Sequence, residues 1–323
     1  MATRQARPAW SRRAVRVVTA ATAVAAIAAL GAAGTPGSPR DADTAAAPAS
    51  SRPAATPAPS PTPPANPLAA PSTSDPQAAA EPDSDPLAEA AARARRITDT
   101  AEGWASFTLA DRRAGRLVGD TRTDEATNSE SVVKAWLAAD LLATATAEKR
   151  PLTAYERARM TAMIRVSDDN AAEVIWRWLG ADASIRKMIR ACRLTDTRVY
   201  PGRWSLTKIS SRDMARLGAC LAPGPGKVLT KSASQQLLGL MRTVAPSNAF
   251  GIPAARPAGA GAGIAVKNGW TEHGGAGVWN VNCLAIWGPE LRWVLAVTLR
   301  YPTPRGLGYG AGLCRRVTTA LFP

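Results

Sequence analysis

A serine and a lysine three residues apart form the first group of side chains in this sequence that could do chemistry. They stand in the pattern S-x-x-K, as Ser131 and Lys134, where a strongly apolar stretch predicts a helix over residues 131–147. One helical turn would place the ammonium of Lys134 beside the hydroxyl of Ser131. An amine in a partly desolvated site can act as base toward that hydroxyl. Taken alone the pattern is common, and a helix cap at Ser131 explains it better.

Two further polar motifs follow in chain order. Residues 167–172 read Ser-Asp-Asp-Asn-Ala-Ala in a predicted loop between helices, where Asp168 or Asp169 could act simply as a helix cap. Residues 267–270 read Lys-Asn-Gly-Trp on a predicted strand after a glycine-rich stretch. That lysine could serve only to protect an edge strand from pairing with another chain.

Together the three motifs resemble the series S-x-x-K, S-D-N and K-T/S-G of class A β-lactamases and penicillin-binding proteins (DD-peptidases). The resemblance extends over residues 87–322, including a hairpin at 104–119 and the helix that leads to the second motif. It implies an α+β fold in which N- and C-terminal helices flank an antiparallel sheet, with an inserted all-helical lobe. The predicted elements agree, since strands lie at both ends of the domain with helices between them.

The resemblance also implies roles for individual residues. Ser131 would be the acylated nucleophile, Lys134 its proton acceptor, and Asn170 would orient Lys134 and the substrate amide. Lys267 would supply positive charge near a substrate carboxylate. The backbone N–H of Ser131 and one from the strand after Gly269 would form an oxyanion hole. The residues expected beside the substrate are Asn268, Gly269 and Trp270.

The sequence departs from the family pattern at three places. Alignment on Asn-Ala-Ala puts Asp168, as a catalytic candidate, where the family has a serine; Ser167 could substitute if the loop shifts by one residue. Asn268 stands where threonine or serine is usual. Residues 194–211 contain no glutamate to activate a hydrolytic water, and Asp196 is the only acid there.

Two hypotheses of function follow from these matches and departures. The first is an exported serine hydrolase that forms an acyl-serine intermediate with a β-lactam or a cell-wall-peptide-like amide, and that works slowly. The alternative is a catalytically inactive relative that binds cell wall or a protein partner. Neither hypothesis requires a cofactor. No metal site is predicted, because the sequence has no CxxC and its one histidine, His273, has no partner at metal-ligand spacing.

The N-terminal part of the chain predicts export and a spacer rather than a second folded domain. Five arginines precede an apolar run over residues 17–34, which is the layout of a signal peptide or an uncleaved signal-anchor. No cysteine follows that run, so a lipoprotein is not expected. Residues 35–86 are rich in proline and alanine and have no aromatic residue, so we predict a disordered linker. The β-lactamase-like domain would occupy residues 87–323, outside the cytoplasm, as a monomer.

Four cysteines lie in the last part of the domain, and an even count in an exported protein suggests two disulfides. Three pairings are possible, and free buried thiols are the alternative. We favour bonds within the pairs Cys192–Cys220 and Cys283–Cys314, because each would link neighbouring elements of the expected fold.

Net charge narrows the set of partners. The chain carries +15, and because seven basic and six acidic residues precede residue 87, nearly all of that excess belongs to the domain. Such a charge favours acidic polymers. The arginines are scattered without interleaved aromatic residues, so nucleic acid is not expected as a partner. Wall peptide or a β-lactam-like molecule, and anionic wall polymers, are the expected partners, with membrane contact only through an uncleaved N-terminus.

Overall fold

An antiparallel sheet of six strands forms the centre of the domain. The structure, a computed structural model, describes residues 85–224 and 228–323. The predicted signal and nearly all of the predicted linker therefore lie outside the described residues. The strands are β1 (Trp104–Asp111), β2 (Arg116–Gly119), β5 (Ala265–Val266), β6 (Gly269–His273), β7 (Val278–Trp287) and β8 (Trp293–Pro302). Their order is β2-β1-β8-β7, and β5 and β6 both pair with β7.

The central strands are covered on both faces, which explains their continuous apolar sequences. Nearly every residue of β7 and β8 is buried, and the two strands pair in register from Val278 opposite Pro302 to Trp287 opposite Trp293. The edge strand β2 is exposed over its first residues. The hairpin predicted over residues 104–119 is thus confirmed, and β7 and β8 form a second one.

Helices from the two ends of the chain cover one face of the sheet. Asp85 caps α1 (Pro86–Asp99) by accepting hydrogen bonds from two N–H groups of its first turn. The helix α1 packs against α8 (Gly306–Leu321), and both bury apolar side chains against the sheet. This arrangement confirms the predicted α+β fold with flanking terminal helices.

A helical lobe is inserted between the strands, and α6 joins it to the other face of the sheet. The helices are α2 (Lys134–Ala147), α3 (Ala154–Arg165), α4 (Asp169–Trp178), α5 (Asp182–Ala191), α6 (Ser211–Leu221) and α7 (Lys231–Arg242). Helix α5 was not predicted from the sequence. It is only ten residues long, so its apolar pattern repeats over only about three turns.

A second, two-stranded sheet brings the first motif close to a distant loop. It pairs β3 (Ala126–Asn128) with β4 (Lys208–Ser210), and neither strand was predicted because each has only three residues. Ser129 N, just beyond β3, donates to Thr207 O at 2.7 Å. The start of the Ser131 turn is therefore held by residues that follow α5 in the chain.

Both predicted disulfides are formed. Cys192 pairs with Cys220, joining the end of α5 to α6, and Cys283 pairs with Cys314, joining β7 to α8. The second of these bonds joins two elements that also pack against each other. Within the described part of the chain, no helix combines the length and the hydropathy needed to cross a bilayer.

Candidate active site

Ser131 lies in a short 3-10 turn, Glu130–Val133, that leads directly into α2. The α-helix predicted from Ser131 thus begins three residues later, at Lys134. The side chains of Val132 and Val133 are fully buried and anchor the turn, whereas Ser131 is only half-buried. Ser131 therefore lies where the buried core meets the surface.

Lys134 is fully buried and its ammonium is directed at the second motif. Nζ donates to the backbone oxygen of Ser167 at 2.5 Å and to Asp169 Oδ1 at 2.5 Å, and it lies 3.2 Å from Ser167 Oγ. Among the described residues, no hydrogen bond joins Lys134 to Ser131 Oγ. The ammonium is therefore held by the Ser167 loop in this structure.

Ser167 connects the second motif to the third. Its Oγ lies 2.9 Å from Lys267 Nζ as well as 3.2 Å from Lys134 Nζ. Lys267 Nζ also donates to Asn268 O at 2.9 Å, and the side chain of Lys267 is 1% exposed. One hydroxyl thus lies between the two lysines, although they are distant in sequence.

The structure does not bring Asp168 and Asn170, to which the alignment gave catalytic roles, to the two lysines. Asp168 caps α4, because its Oδ1 accepts a hydrogen bond from Ala171 N at 2.6 Å. Asn170 is exposed in the first turn of α4, and its side chain makes no hydrogen bond within the described residues. Ser167 and Asp169 face Lys134 instead. The shift of the loop arises from Ser167, whose φ of 59° turns the chain before the helix begins.

Asn268, which was predicted beside the substrate, is buried between two loops. Its Nδ2 donates to Asn248 O at 3.0 Å and to Phe250 O at 2.9 Å, so the buried amide ties two loops together. Trp270 is half-buried and packs edge-to-face on Phe250, with ring centroids 5.2 Å apart. This contact accounts for part of the Trp270 ring and leaves part of it accessible.

Gly269 lies directly against the backbone of the Ser131 turn. A Cβ at this position would come within 2.6 Å of Ser131 N and 2.8 Å of Val132 N. Real side chains do not tolerate such distances to backbone atoms, so only glycine fits. Strand β6 can therefore approach the N–H of Ser131, as the predicted oxyanion hole requires.

Burial changes the proton affinity of both lysines. Loss of hydration lowers the pKa of Lys134, and the neighbouring Asp169 carboxylate opposes this change. Burial lowers the pKa of Lys267 well below the ordinary lysine range, and the positive charge of Lys134 lowers it further. The lowered pKa of each lysine favours the neutral amine, which is the form that accepts a proton.

The acids around the site are engaged by other groups. Asp196, the only acid in residues 194–211, accepts hydrogen bonds from Arg212 and Ser210. Glu173 accepts from Trp204 Nε1 at 3.1 Å, and the Trp204 ring centroid lies 5.1 Å from Lys134 Nζ. Trp204 is 8% exposed and covers the ammonium from that side.

Sequence reasoning missed Asp169, Glu173 and Glu130. The glutamate Glu130 is buried next to Ser131 and accepts hydrogen bonds from β6 and β7. Its position next to Ser131 was the only available signal. The pairing of Glu173 with Trp204 leaves no local pattern in the sequence, because the two residues are distant along the chain. Among the described residues, no group of three or more His, Cys, Asp or Glu side chains could hold a metal ion.

Comparison with solved structures identifies the fold. The ancestral class A β-lactamase of Gram-negative bacteria aligns with 72% of this chain and 98% of its own, at 19% identity and a TM-score of 0.56. A β-lactamase from Burkholderia vietnamiensis aligns with 72% and 94%, at 20% identity and the same TM-score. At this identity the likeness shows the class A β-lactamase fold and nothing of the activity.

Sequence comparisons agree. A model of the Beta-lactamase enzyme family (Beta-lactamase2) matches residues 157–306, a stretch that includes Ser167 and Lys267 but not Ser131. The resemblance to the serine β-lactamase and penicillin-binding protein superfamily is thereby confirmed. "Putative lipoprotein LppW" of Mycobacterium tuberculosis is 29% identical over 226 residues, covering 66% of this chain and 69% of that protein, and a protein of the same name in Mycobacterium bovis matches equally.

Proposed function

We propose that the domain is a serine hydrolase in which Ser131 attacks a β-lactam or a cell-wall-peptide-like amide and becomes acylated. The observation that carries this proposal is the position of Ser167 Oγ between Lys134 Nζ and Lys267 Nζ, at 3.2 and 2.9 Å. This contact brings all three motifs together, because Lys134 lies one turn after Ser131. Two amines with lowered pKa and a hydroxyl between them can move a proton from nucleophile to leaving group.

The steps of acylation follow from this arrangement. Neutral Lys134 accepts the proton of Ser131 Oγ as that oxygen bonds to the carbonyl carbon. The carbonyl oxygen becomes negative and is stabilised by the Ser131 N–H and a backbone N–H of β6 beyond Gly269. Ser167 Oγ then passes a proton from the lysines to the leaving nitrogen as the C–N bond breaks.

Hydrolysis of the acyl-enzyme should be much slower than its formation. Attack by water needs a carboxylate or amine that is free to accept a proton near the ester. Trp204 covers Lys134, and the oxygens of Glu173 and Asp196 are held by neighbouring donors. We therefore propose a long-lived acyl-Ser131 rather than rapid drug hydrolysis.

A second candidate function rests on one specific contact. The Asp169 carboxylate lies 2.5 Å from Lys134 Nζ, and this pairing favours the charged amine that cannot act as a base. If it persists when substrate binds, the domain would instead be an inactive relative that binds wall peptide or a protein partner.

Intact mass spectrometry separates the two candidates. The domain is incubated with a penicillin, alongside Ser131→Ala. Acylation predicts a mass increase of one penicillin in the wild type and none in the variant. With a chromogenic cephalosporin it predicts a burst of about one equivalent followed by slow release. No burst and no adduct would favour the inactive relative.

We further propose that the domain works outside the cytoplasm. The basic-then-apolar N-terminus supports this location, and so does the lipoprotein name of the mycobacterial relatives. All four cysteines lie at residue 192 or beyond and form the two disulfides. Disulfides of this kind persist in oxidising compartments, in agreement with export.

A further inference from the structure

Glu130, the residue before Ser131, has a conformation that its surroundings must maintain. Its side chain is 3% exposed, and its φ is 47°, in the left-handed region. A buried carboxylate needs several hydrogen bonds to offset lost hydration, and positive φ is unfavourable for a residue with a Cβ. Two unfavourable features adjacent to a candidate nucleophile indicate that the carboxylate has a specific task.

The carboxylate joins the Ser131 turn to two strands. Thr271 Oγ1 donates to Glu130 Oε2 at 2.6 Å, and His273 Nε2 lies 2.8 Å from Oε1. Asn280 Nδ2, from β7, donates to Oε1 at 3.3 Å. Thr271 and His273 alternate along β6 and so share one face, and Thr271 is directly opposite Asn280 in the register. We call these four side chains the Glu130 network.

The network holds the two backbone groups that the proposed oxyanion hole requires. One is the N–H of Ser131, adjacent to Glu130, and the other belongs to β6, the strand of Thr271 and His273. Gly269 allows these two backbones to come close, and the carboxylate fixes their separation through side-chain hydrogen bonds. Oxyanion donors are effective only when their positions are set before the charge develops.

We propose that Glu130 is a positioning residue that holds the Ser131 turn against β6 through Thr271 and His273. Its effect on acylation rests on the function proposed above, whereas its effect on the turn does not. None of the four side chains needs to touch the substrate. The network also gives a role to His273, which takes no part in the proposed acylation.

The test compares Glu130→Ala with Glu130→Gln, and uses Glu272→Ala as the matched control. Glu272 is exposed on β6 between the two network residues, and its side chain makes no hydrogen bond within the described residues. Gln keeps an oxygen that can accept from Thr271, whereas Ala keeps none. Thr271→Val, which removes one donor at similar volume, replaces Glu130→Ala if that variant fails to fold.

Two measurements are made on each protein. Hydrogen exchange of peptides spanning residues 129–134 reports the turn, and the rate of penicillin adduct formation is resolved into the dissociation constant of the first complex and the acylation rate constant. We expect Glu130→Ala to raise exchange and to lower the rate constant by about 100-fold, the effect of a displaced reacting group. The dissociation constant should change little. Gln should restore most of the rate, and Glu272→Ala should match the wild type.

Any other outcome contradicts either the positioning role of Glu130 or the acylation of Ser131. Unchanged exchange at residues 129–134 in Glu130→Ala would overturn the positioning role, whatever the penicillin does. So would an acylation rate constant equal to that of the wild type, or a failure of Gln to restore it. If the wild type forms no adduct while exchange still rises in Glu130→Ala, the acylation proposal fails and the structural role of Glu130 stands.

Discussion

Ser167 has a φ of 59°, and this one backbone angle determines which side chains of the second motif face the lysines. A non-glycine residue in the left-handed region is held there by its surroundings at a cost of about 1 kcal/mol. Here the surroundings are Lys134, which binds both its backbone oxygen and its hydroxyl, and Lys267. Asp168 is thereby turned away and caps α4.

The first prediction tests this register. We expect Ser167→Ala to slow acylation of Ser131 by about 100-fold, within the range for losing a proton-transfer group. Asp168→Asn should alter the rate little, because asparagine caps helices as well as aspartate. The rates are followed by adduct mass over time. The one-residue shift would be contradicted if Asp168→Asn were the slower of the two variants.

A second prediction concerns the pair formed by Asp169 and Lys134. The acylation rate should rise with pH, because only the neutral amine accepts a proton, and level off below the ordinary lysine pKa, since burial lowers the pKa of Lys134. Asp169 opposes that lowering. Asp169→Asn should therefore move the rising limb to lower pH and increase the rate at pH 7 by about 10-fold or more, which one unit of pKa would produce.

Pseudo-first-order acylation rates between pH 5 and 10 provide the measurement. Glu173→Gln is the control, because Glu173 contacts Trp204 and Arg177 rather than either lysine. If the rising limb of the pH profile stays in place in Asp169→Asn, the ion pair does not control the pKa of Lys134.

Two disulfides attach helices to other elements of the fold. The bond between Cys283 and Cys314 joins β7 to α8 within the core behind the sheet, and Gly251 packs close to both cysteines. The bond between Cys192 and Cys220 joins the ten-residue helix α5 to α6. A helix this short gains little stability from its own hydrogen bonds, so it depends on its attachment to the rest of the fold.

We expect replacement of Cys192 and Cys220 by alanine, together, to lower the free energy of unfolding by about 3 kcal/mol, as for loops of this length. Acylation should persist under native conditions, because neither cysteine contacts the motifs. Urea denaturation followed by tryptophan fluorescence measures the first effect, and adduct mass measures the second. A loss well below 1 kcal/mol would mean that α5 is held by packing alone.

The elements also show how far the sequence could predict the structure. Long apolar strands such as β7 and β8, and the terminal helices, were predictable because each repeats one pattern over ten or more residues. The three-residue strands β3 and β4 were not, since pairing between distant segments creates them. In the site, Ser131, Lys134 and Lys267 followed from motif order. The roles of Ser167 and Glu130 depend on loop conformation and cross-strand contacts, which leave no local pattern.

Neither the three motifs nor the fold explains the excess of basic residues in the molecule. The helical lobe presents Arg186, Arg190 and Arg193 on its surface, and the three are spaced along one side of α5 and its end. None of the three forms an ion pair with another described residue. Exposed cations of this kind attract polyanions over roughly one Debye length, about 10 Å at 0.1 M salt.

The corresponding prediction is salt-dependent binding to an anionic wall polymer. We expect the domain to be retained on immobilised teichoic acid at low salt and released near 1 M, where screening shortens the Debye length to about 3 Å. Alanine at Arg186, Arg190 and Arg193 should weaken retention, while the same number of alanines at Arg93, Arg95 and Arg96 serves as the control. Equal retention on an uncharged polysaccharide would contradict a role for charge.

Acylation of Ser131 is tested by the intact mass of the protein after incubation with a penicillin. We expect an increase equal to one penicillin, located on the peptide containing Ser131, persisting after excess drug is removed and missing in Ser131→Ala. No mass increase in the wild type, or an adduct of equal yield in Ser131→Ala, would contradict the claim that the three motifs form an acylating site.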